Sequence, residues 1–169
     1  MDEKFMRAAI AQAKLAAKKG EVPVGAVIVR DGEIIARAYN TREKDKNALC
    51  HAELKAIRKA CKKLGGWRLT RCELYVTLEP CPMCAGAIIN SRIVSVYYGA
   101  SDQKAGAFGT LFDMNTMGLN HIPEIHGGVM EQACAKLLSD FFADLRKRKK
   151  EEKLAEKKER LTQSDENLG

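Results

Sequence analysis

The sequence predicts an α/β fold in which helices pack on a mixed sheet, and three features carry that expectation. Segments of helical and strand periodicity follow one another in the order α-β-β-α-β-α-β, before a loop-rich stretch and a last helix. Asp31-Gly32 sits between two apolar runs, a strong signal for a two-residue hairpin. The chain has 169 residues and an apolar share of 46%, enough for one domain with a real core.

Each element has its own reason. Met6, Ala9, Ile10, Ala13 and Ala17 recur at helical spacing, and Gly20 follows as a stop. "VPVGAVIVRDGEIIARAYN" (22–40) reads as two strands joined at Asp31-Gly32. A helix is expected from His51 to about Leu64, ending at Gly65-Gly66. "CELYVTL" (72–78) and "RIVSVYYG" (92–99) read as buried strands, with a helix over 81–90 between them. Glycines punctuate 100–128, which reads as loops around at most a short strand or helix. From Val129 onward a helix is expected, with Ala133, Leu137, Leu138, Phe141, Phe142 and Leu145 inward. The partition is a domain over residues 1–150 and a charged tail over 151–169, whose end "TQSDENLG" is expected to fray.

Charge narrows the partners. A net charge of +7 and a pI near 9.1 favour a polyanion. The basic residues fall in two places, the helix after His51 and "RKRKKEEKLAEKKER" (146–160). Each alone reads as a solvated helix face laced with Glu–Lys pairs; two in one small basic protein raise RNA as a partner. No apolar run reaches membrane-spanning length, and "MDEKFMRAAI" lacks a secretory pattern, so the expected compartment is the cytoplasm. Six cysteines there would be reduced, which points to metal or catalytic roles over disulfides.

One helix raises a specific question. In "HAELKAIRKACKKLG", Glu53 falls on the apolar line of Ile57, Ala60, Cys61 and Leu64, while Lys55, Arg58, Lys59, Lys62 and Lys63 take the outside. "LEPCPMC" (78–84) supplies an answer. Cys81 and Cys84, three apart at a helix start with Pro82 in the first turn, present both thiols in one direction. The positive end of the helix favours thiolates. Two thiolates and His51 make three zinc ligands with one position open, a catalytic pattern more than a structural one. Such a site, neutral overall, acidifies bound water less than a tris-histidine site would, so a carboxylate poised over that water has work to do. Glu53 is that carboxylate, its pKa expected to rise on burial. Cys50, Cys61, Cys72 and Cys134 have no partner at ligand spacing and read as small buried hydrophobes. His121 and His126 read as loop or pocket-wall residues.

"HAE" joined to "PCPMC" resembles the zinc-dependent nucleoside and nucleobase deaminases. "EVPVGAVIV" (21–29), "YVTLEPCPMCAGAIINSRI" (75–93), "YGASDQKAGAFGTL" (98–111) and "LLSDFFADLR" (137–146) look closest to the bacterial branch specific for adenosine in tRNA. The resemblance implies a three-layer α/β/α cytidine-deaminase-like fold with a five-stranded mixed sheet. It implies one zinc per subunit on His51, Cys81 and Cys84, with Glu53 shuttling protons. Zinc-bound hydroxide would attack C6 of adenine while Glu53 protonates N1 and then helps ammonia leave, giving inosine. Asn40 would bind the base, with Val22, Leu78 and the Ala52 backbone as walls. Asp102, Lys104, Phe141 and Arg146 would meet flanking nucleotides of a tRNA anticodon stem-loop, splayed at the wobble position and bound by a homodimer.

Two other readings remain open. The helix after His51 also resembles guanine deaminase, so deamination of free guanine or cytosine is one. A zinc-stapled RNA-binding module without catalysis is the other; it leaves Glu53 unexplained and lacks a fourth ligand.

Overall fold

The computed structural model describes residues 2–166, with side chains through residue 160. Its elements are α1 (Glu3–Lys18), β1 (Gly25–Arg30), β2 (Glu33–Tyr39), α2 (Arg42–Asp45), α3 (Ala52–Leu64), β3 (Cys72–Leu78), α4 (Pro82–Asn90), β4 (Ser95–Ala100), β5 (Glu124–His126) and α5 (Glu131–Glu166), with a 3₁₀ turn at Met114–Thr116. The sheet has five strands in the order β2-β1-β3-β4-β5. β1 runs antiparallel to β2 and β3, whereas β3-β4 and β4-β5 are parallel, so the sheet is mixed as expected.

Strand alternation makes the three layers. Ala26, Ile28, Leu74, Val76, Val96 and Tyr98 point to one face, where they pack with Ala52, Ala56, Ala60, Ile88 and Ile89 of α3 and α4. Val27, Val29, Tyr75 and Tyr97 point to the other, against Phe5, Met6, Ala9 and Ile10 of α1 and Cys134 of α5. β4 is buried along its whole length, as a parallel central strand should be. The hairpin forms where the sequence places it, with Asp31 and Gly32 both at positive φ (51° and 79°) and Arg30 opposite Glu33.

Several boundaries differ from expectation, each for a local reason. β1 opens at Gly25 instead of Val22, because Pro23 has no N–H to donate and Val24 N–H turns back to Val22 C=O at 2.8 Å. β4 opens at Ser95 after Arg92 takes a positive φ of 65°. Met130, at φ 53°, delays α5 to Glu131. Of the side chains expected inward on α5, Leu137, Leu138, Phe141 and Leu145 are half-buried, while Ala133 and Phe142 are exposed. Cys134 carries that packing instead. The helix runs on to Glu166, so residues 162–166 of the segment expected to fray are helical, and the rest of it, 167–169, lies outside the described residues. Among the described residues no helix is long and apolar enough to cross a membrane.

α1 lies so close to β1 that the strand can start only with glycine. A Cβ on Gly25 would collide with the α1 backbone at Ala9 and Ala13, whereas one on Gly86, inside α4, meets nothing within 4 Å. Overpacking typically costs ~1–3 kcal/mol, and a backbone obstacle relaxes least. In urea titration Gly25→Ala should therefore lower the unfolding free energy by at least that much, while Gly86→Ala raises it by ~0.5–1 kcal/mol, with the midpoints moving in the same directions. Equal midpoints for the two variants would contradict this packing.

Candidate active site

α3 and α4 both begin at the same end of the sheet, and each begins with a metal-ligand residue type. His51 is the N-cap of α3, with extended backbone (φ −70°, ψ 151°) and its C=O accepting from Lys55 N–H at 3.1 Å. Cys81 is the N-cap of α4, with Pro82 next and its C=O accepting from Ala85 N–H at 2.8 Å. Neither cap side chain bonds its own helix, so both are free to face each other. His51 Nδ1 stands 3.8 Å from Cys81 Sγ and 3.5 Å from Cys84 Sγ. The three ligand atoms lie within 4.8 Å of one another, the only such cluster among the described residues.

This set fits zinc. With Zn–S of ~2.3 Å and Zn–N of ~2.0–2.1 Å on a tetrahedron, nitrogen and sulfur ligands should stand about 3.6 Å apart. The two observed separations, 3.5 and 3.8 Å, bracket that value. Electrostatics agree. A hydrogen bond from the Cys84 thiol, reinforced by His51, holds Cys81 down to about 4, and the same contact, with burial, pushes Cys84 up. The Cys81 sulfur in turn raises His51 against its burial. Two sulfurs and an imidazole thus compete for protons that a cation would replace.

Glu53 completes the centre. It sits in the first turn of α3, 4% exposed, and burial raises its pKa above the ordinary carboxylate range. Its Oε2 has no hydrogen-bond partner, one of two buried side-chain atoms in that state among the described residues; the other is Asn115 Oδ1. An orphaned buried oxygen costs roughly 1–3 kcal/mol, so it marks a place where a ligand or water belongs.

Beside this cluster opens a cavity of about 220 Å³, lined by Val22, Val24, Asn40, Arg42, His51, Ala52, Glu53, Leu78, Glu79, Cys81, Asp102 and Ala105. It lies off the ends of the strands where β1 starts and β3 stops, the usual place for a ligand in an open α/β sheet. Asn40 is held there by its Nδ2 donating to Val22 C=O and its Oδ1 accepting from Arg42 N–H, both at 3.2 Å. One N–H and one lone pair of its amide remain for a ligand.

Of the residues singled out from sequence, Val22, Asn40, His51, Ala52, Glu53, Leu78, Cys81 and Asp102 line one cavity, with Cys84 buried beneath it. Lys104, exposed on the adjacent loop, and Phe141 and Arg146, on α5, are not among its walls. Neither His121, bonded to Ile93 C=O at 2.7 Å, nor His126, stacked on Tyr97, lines it.

Sequence reasoning missed Val24, Arg42, Ala105 and two buried acids. Glu21, 1% exposed, accepts from Glu43 N–H (3.1 Å) and Lys44 N–H (2.7 Å), pinning α2 behind Asn40 and Arg42. Glu79, also 1% exposed, binds the loop at 102–110. A glutamate flanking apolar residues on each side of a strand carries no periodic signal, and its immediate neighbours in "GEVP" and "LEPC" offered the only hint.

The chain resembles known deaminases in sequence and in fold. The chain is 53% identical over 150 residues to the tRNA-specific adenosine deaminase of Bacillus subtilis (strain 168), covering 88% of this chain and 93% of that one. A solved structure from work on A-to-I editing by tRNA:A34 deaminases at the wobble position of transfer RNA superposes with a TM-score of 0.75 at 41% identity, covering 81% of this chain and all of that one. The guanine deaminase of Bacillus subtilis gives a TM-score of 0.57 at 35% identity, covering 71% and 88%. Residues 1–146 match the family described as MafB19-like deaminase, and the chain belongs to that family, beside the tRNA-specific adenosine deaminases.

Proposed function

We propose that the protein hydrolyses adenosine to inosine at the wobble position of a tRNA anticodon, with release of ammonia. The observation that carries this reading is the orphaned Glu53 Oε2, buried beside the His51–Cys81–Cys84 cluster at the wall of a cavity sized for one planar base. Zinc held by those three residues would supply a Lewis acid that makes a water nucleophilic near neutral pH. The protein does the rest. Val22 and Leu78 give the purine ring apolar walls, and the free N–H and lone pair of the Asn40 amide, with the Ala52 backbone, fix its rotation.

Glu53 handles the protons. Its raised pKa lets the carboxylate take a proton from the attacking water, pass it to ring N1, and help the C6 amine depart as ammonia. Water and adenosine go in; inosine and ammonia come out.

The flanking RNA is read outside the base cavity, by Asp102 at its rim and by Lys104, Phe141 and Arg146 beyond it. A tRNA substrate places the reaction in the cytoplasm. Leu111, Phe112, Met117, Leu119 and Ile122 are exposed on the loops between β4 and β5, an apolar surface suited to a second copy and hence to a homodimer. The deaminase domain takes in residues 1–150, and 151–169 form a charged tail added to it.

A paired metal and activity measurement separates ligands from proton carrier. His51→Ala and Cys84→Ala should lose zinc and turnover together. Glu53→Gln should keep one zinc per chain yet lose roughly 10²–10⁴-fold in kcat, the usual worth of a positioned acid–base group. Full zinc occupancy in either ligand variant, or parent-like turnover in Glu53→Gln, would undo these assignments.

Substrate choice separates this reading from free-base deamination. Remote contacts hold the reacting carbon in place, so a truncated substrate should lose turnover as well as affinity. In one ammonia assay the anticodon stem-loop should far outpace free adenosine and guanine. Rapid guanine turnover with an inert stem-loop would favour the guanine deaminase reading instead.

A further inference from the structure

Glu79 is a buried carboxylate that the proposed chemistry leaves unused, and its surroundings are unlike those of Glu53. Four donors fill its two oxygens. Phe108 N–H (3.0 Å) and Thr110 N–H (3.2 Å) point at Oε1; Asp102 N–H (3.1 Å) and the Thr110 hydroxyl point at Oε2. Among the described residues no Lys or Arg forms an ion pair with it. With every acceptor position taken, Glu79 has none left to carry a proton to substrate, whereas Glu53 has a whole oxygen free.

Those donors all belong to one loop, residues 102–110. The main chain ties the same loop to the approach to the cysteines through Ala107 N–H to Pro80 C=O (3.0 Å), while Glu79 N–H donates to Ala100 C=O (2.8 Å) at the end of β4. Gly106 is the position where the loop passes over the carboxylate, and a Cβ there would collide with the Glu79 carboxylate. The loop carries Asp102 and Ala105, both walls of the cavity, and the Asp102 carboxylate further caps Lys104 N–H (2.9 Å) and Ala105 N–H (3.1 Å). Two residues after Glu79 comes Cys81.

We propose that Glu79 is a positioning residue: it is the peg to which the 102–110 loop is tied, and it sets the Asp102–Ala105 wall of the cavity relative to the cysteine pair, and so the seat of the nucleotide next to the reacting base. This inference rests on the deaminase reading above for its substrate but not for its geometry. A carboxamide is a poor replacement for the carboxylate, because two acceptor positions would vanish and its NH₂ group would face backbone N–H, that of Asp102 or those of Phe108 and Thr110. Glu79 therefore differs from a residue that merely fills space, for which glutamine, of the same shape, would be a fair substitute.

The test uses Glu79→Gln and the milder Thr110→Val, which removes one donor and leaves three. Hydrogen exchange of the metal-loaded protein should show faster exchange at 100–112 in both variants, with β3 and β4 still protected and zinc content unchanged. For the stem-loop, KM should rise more than kcat falls, with kcat/KM down on the order of 10–100-fold for Glu79→Gln, as for other residues that orient an active site from behind. In an Asp102→Ala background Glu79→Gln should cost several-fold less than in the parent, because both act on one wall. An unchanged loop with full protection in both variants would overturn the proposal, as would equal losses with and without Asp102, or glutamine behaving like the parent. A parent protein inert on the stem-loop, with the exchange pattern still as expected, would sink the substrate reading and leave the peg standing.

Discussion

Everything at this site depends on how closely α3 approaches the sheet. His51 and the Cys81–Cys84 pair are thirty or more residues apart in sequence, yet one nitrogen and two sulfurs from them meet within 4.8 Å of one another. The buried line of α3 is Ala52, Ala56 and Ala60, and opposite it β2 presents Ala36 and Ala38. Small side chains on both surfaces let the helix settle low. Its N-terminus then comes level with that of α4, which follows β3 by only the three residues Glu79, Pro80 and Cys81. A leucine anywhere on the alanine line would lift the helix and move the imidazole off the sulfurs, because packed interiors do not yield by more than a few tenths of an ångström without cost.

The same closeness explains the charges. Two helix N-termini converge on the cluster, and each brings open N–H groups and the positive end of its dipole. That field adds to the Cys84 and His51 contacts that favour a thiolate at Cys81, while burial and the same contact work against one at Cys84. Glu53 gains less. Buried at the cavity wall and with one oxygen unpartnered, it is a destabilising element, the kind of local compromise that the proposed chemistry would account for. Glu21 and Glu79 show the opposite use of the same side chain. Buried as deeply, they spend their oxygens on backbone N–H groups and so fix the walls between which a base would lie. Of the three buried glutamates, one keeps an oxygen without a partner and two are tied to backbone N–H groups.

How much of this is legible in the sequence follows from what periodicity can and cannot encode. The hairpin, α3, β3 and α4 stand out because turn chemistry and apolar spacing are local, and the His51–Cys81–Cys84 cluster, a candidate for metal, stands out because H-x-E and C-x-x-C are spacings with a chemical reason. Strand and helix starts were off by two or three residues where a positive φ at Arg92 or Met130, or a turn at Val22–Val24, decided the boundary; single-residue backbone conformations leave no pattern. The roles of Glu21 and Glu79 were invisible for a different reason. Their partners are main-chain N–H groups more than twenty residues away, and any residue type supplies those. Arg42 escaped notice because α2, four residues long, is held from outside by Glu21 and not by its own propensity.

The most direct test is a crystal structure of the zinc-loaded Glu53→Gln protein with an anticodon stem-loop. This substitution keeps the shape of the centre while stopping turnover. The account predicts the wobble adenine inside the cavity, its ring between Val22 and Leu78, its edge against Asn40, and C6 facing the metal on His51, Cys81 and Cys84. RNA bound only along the basic faces of α3 and α5, with no base in the cavity, would contradict it.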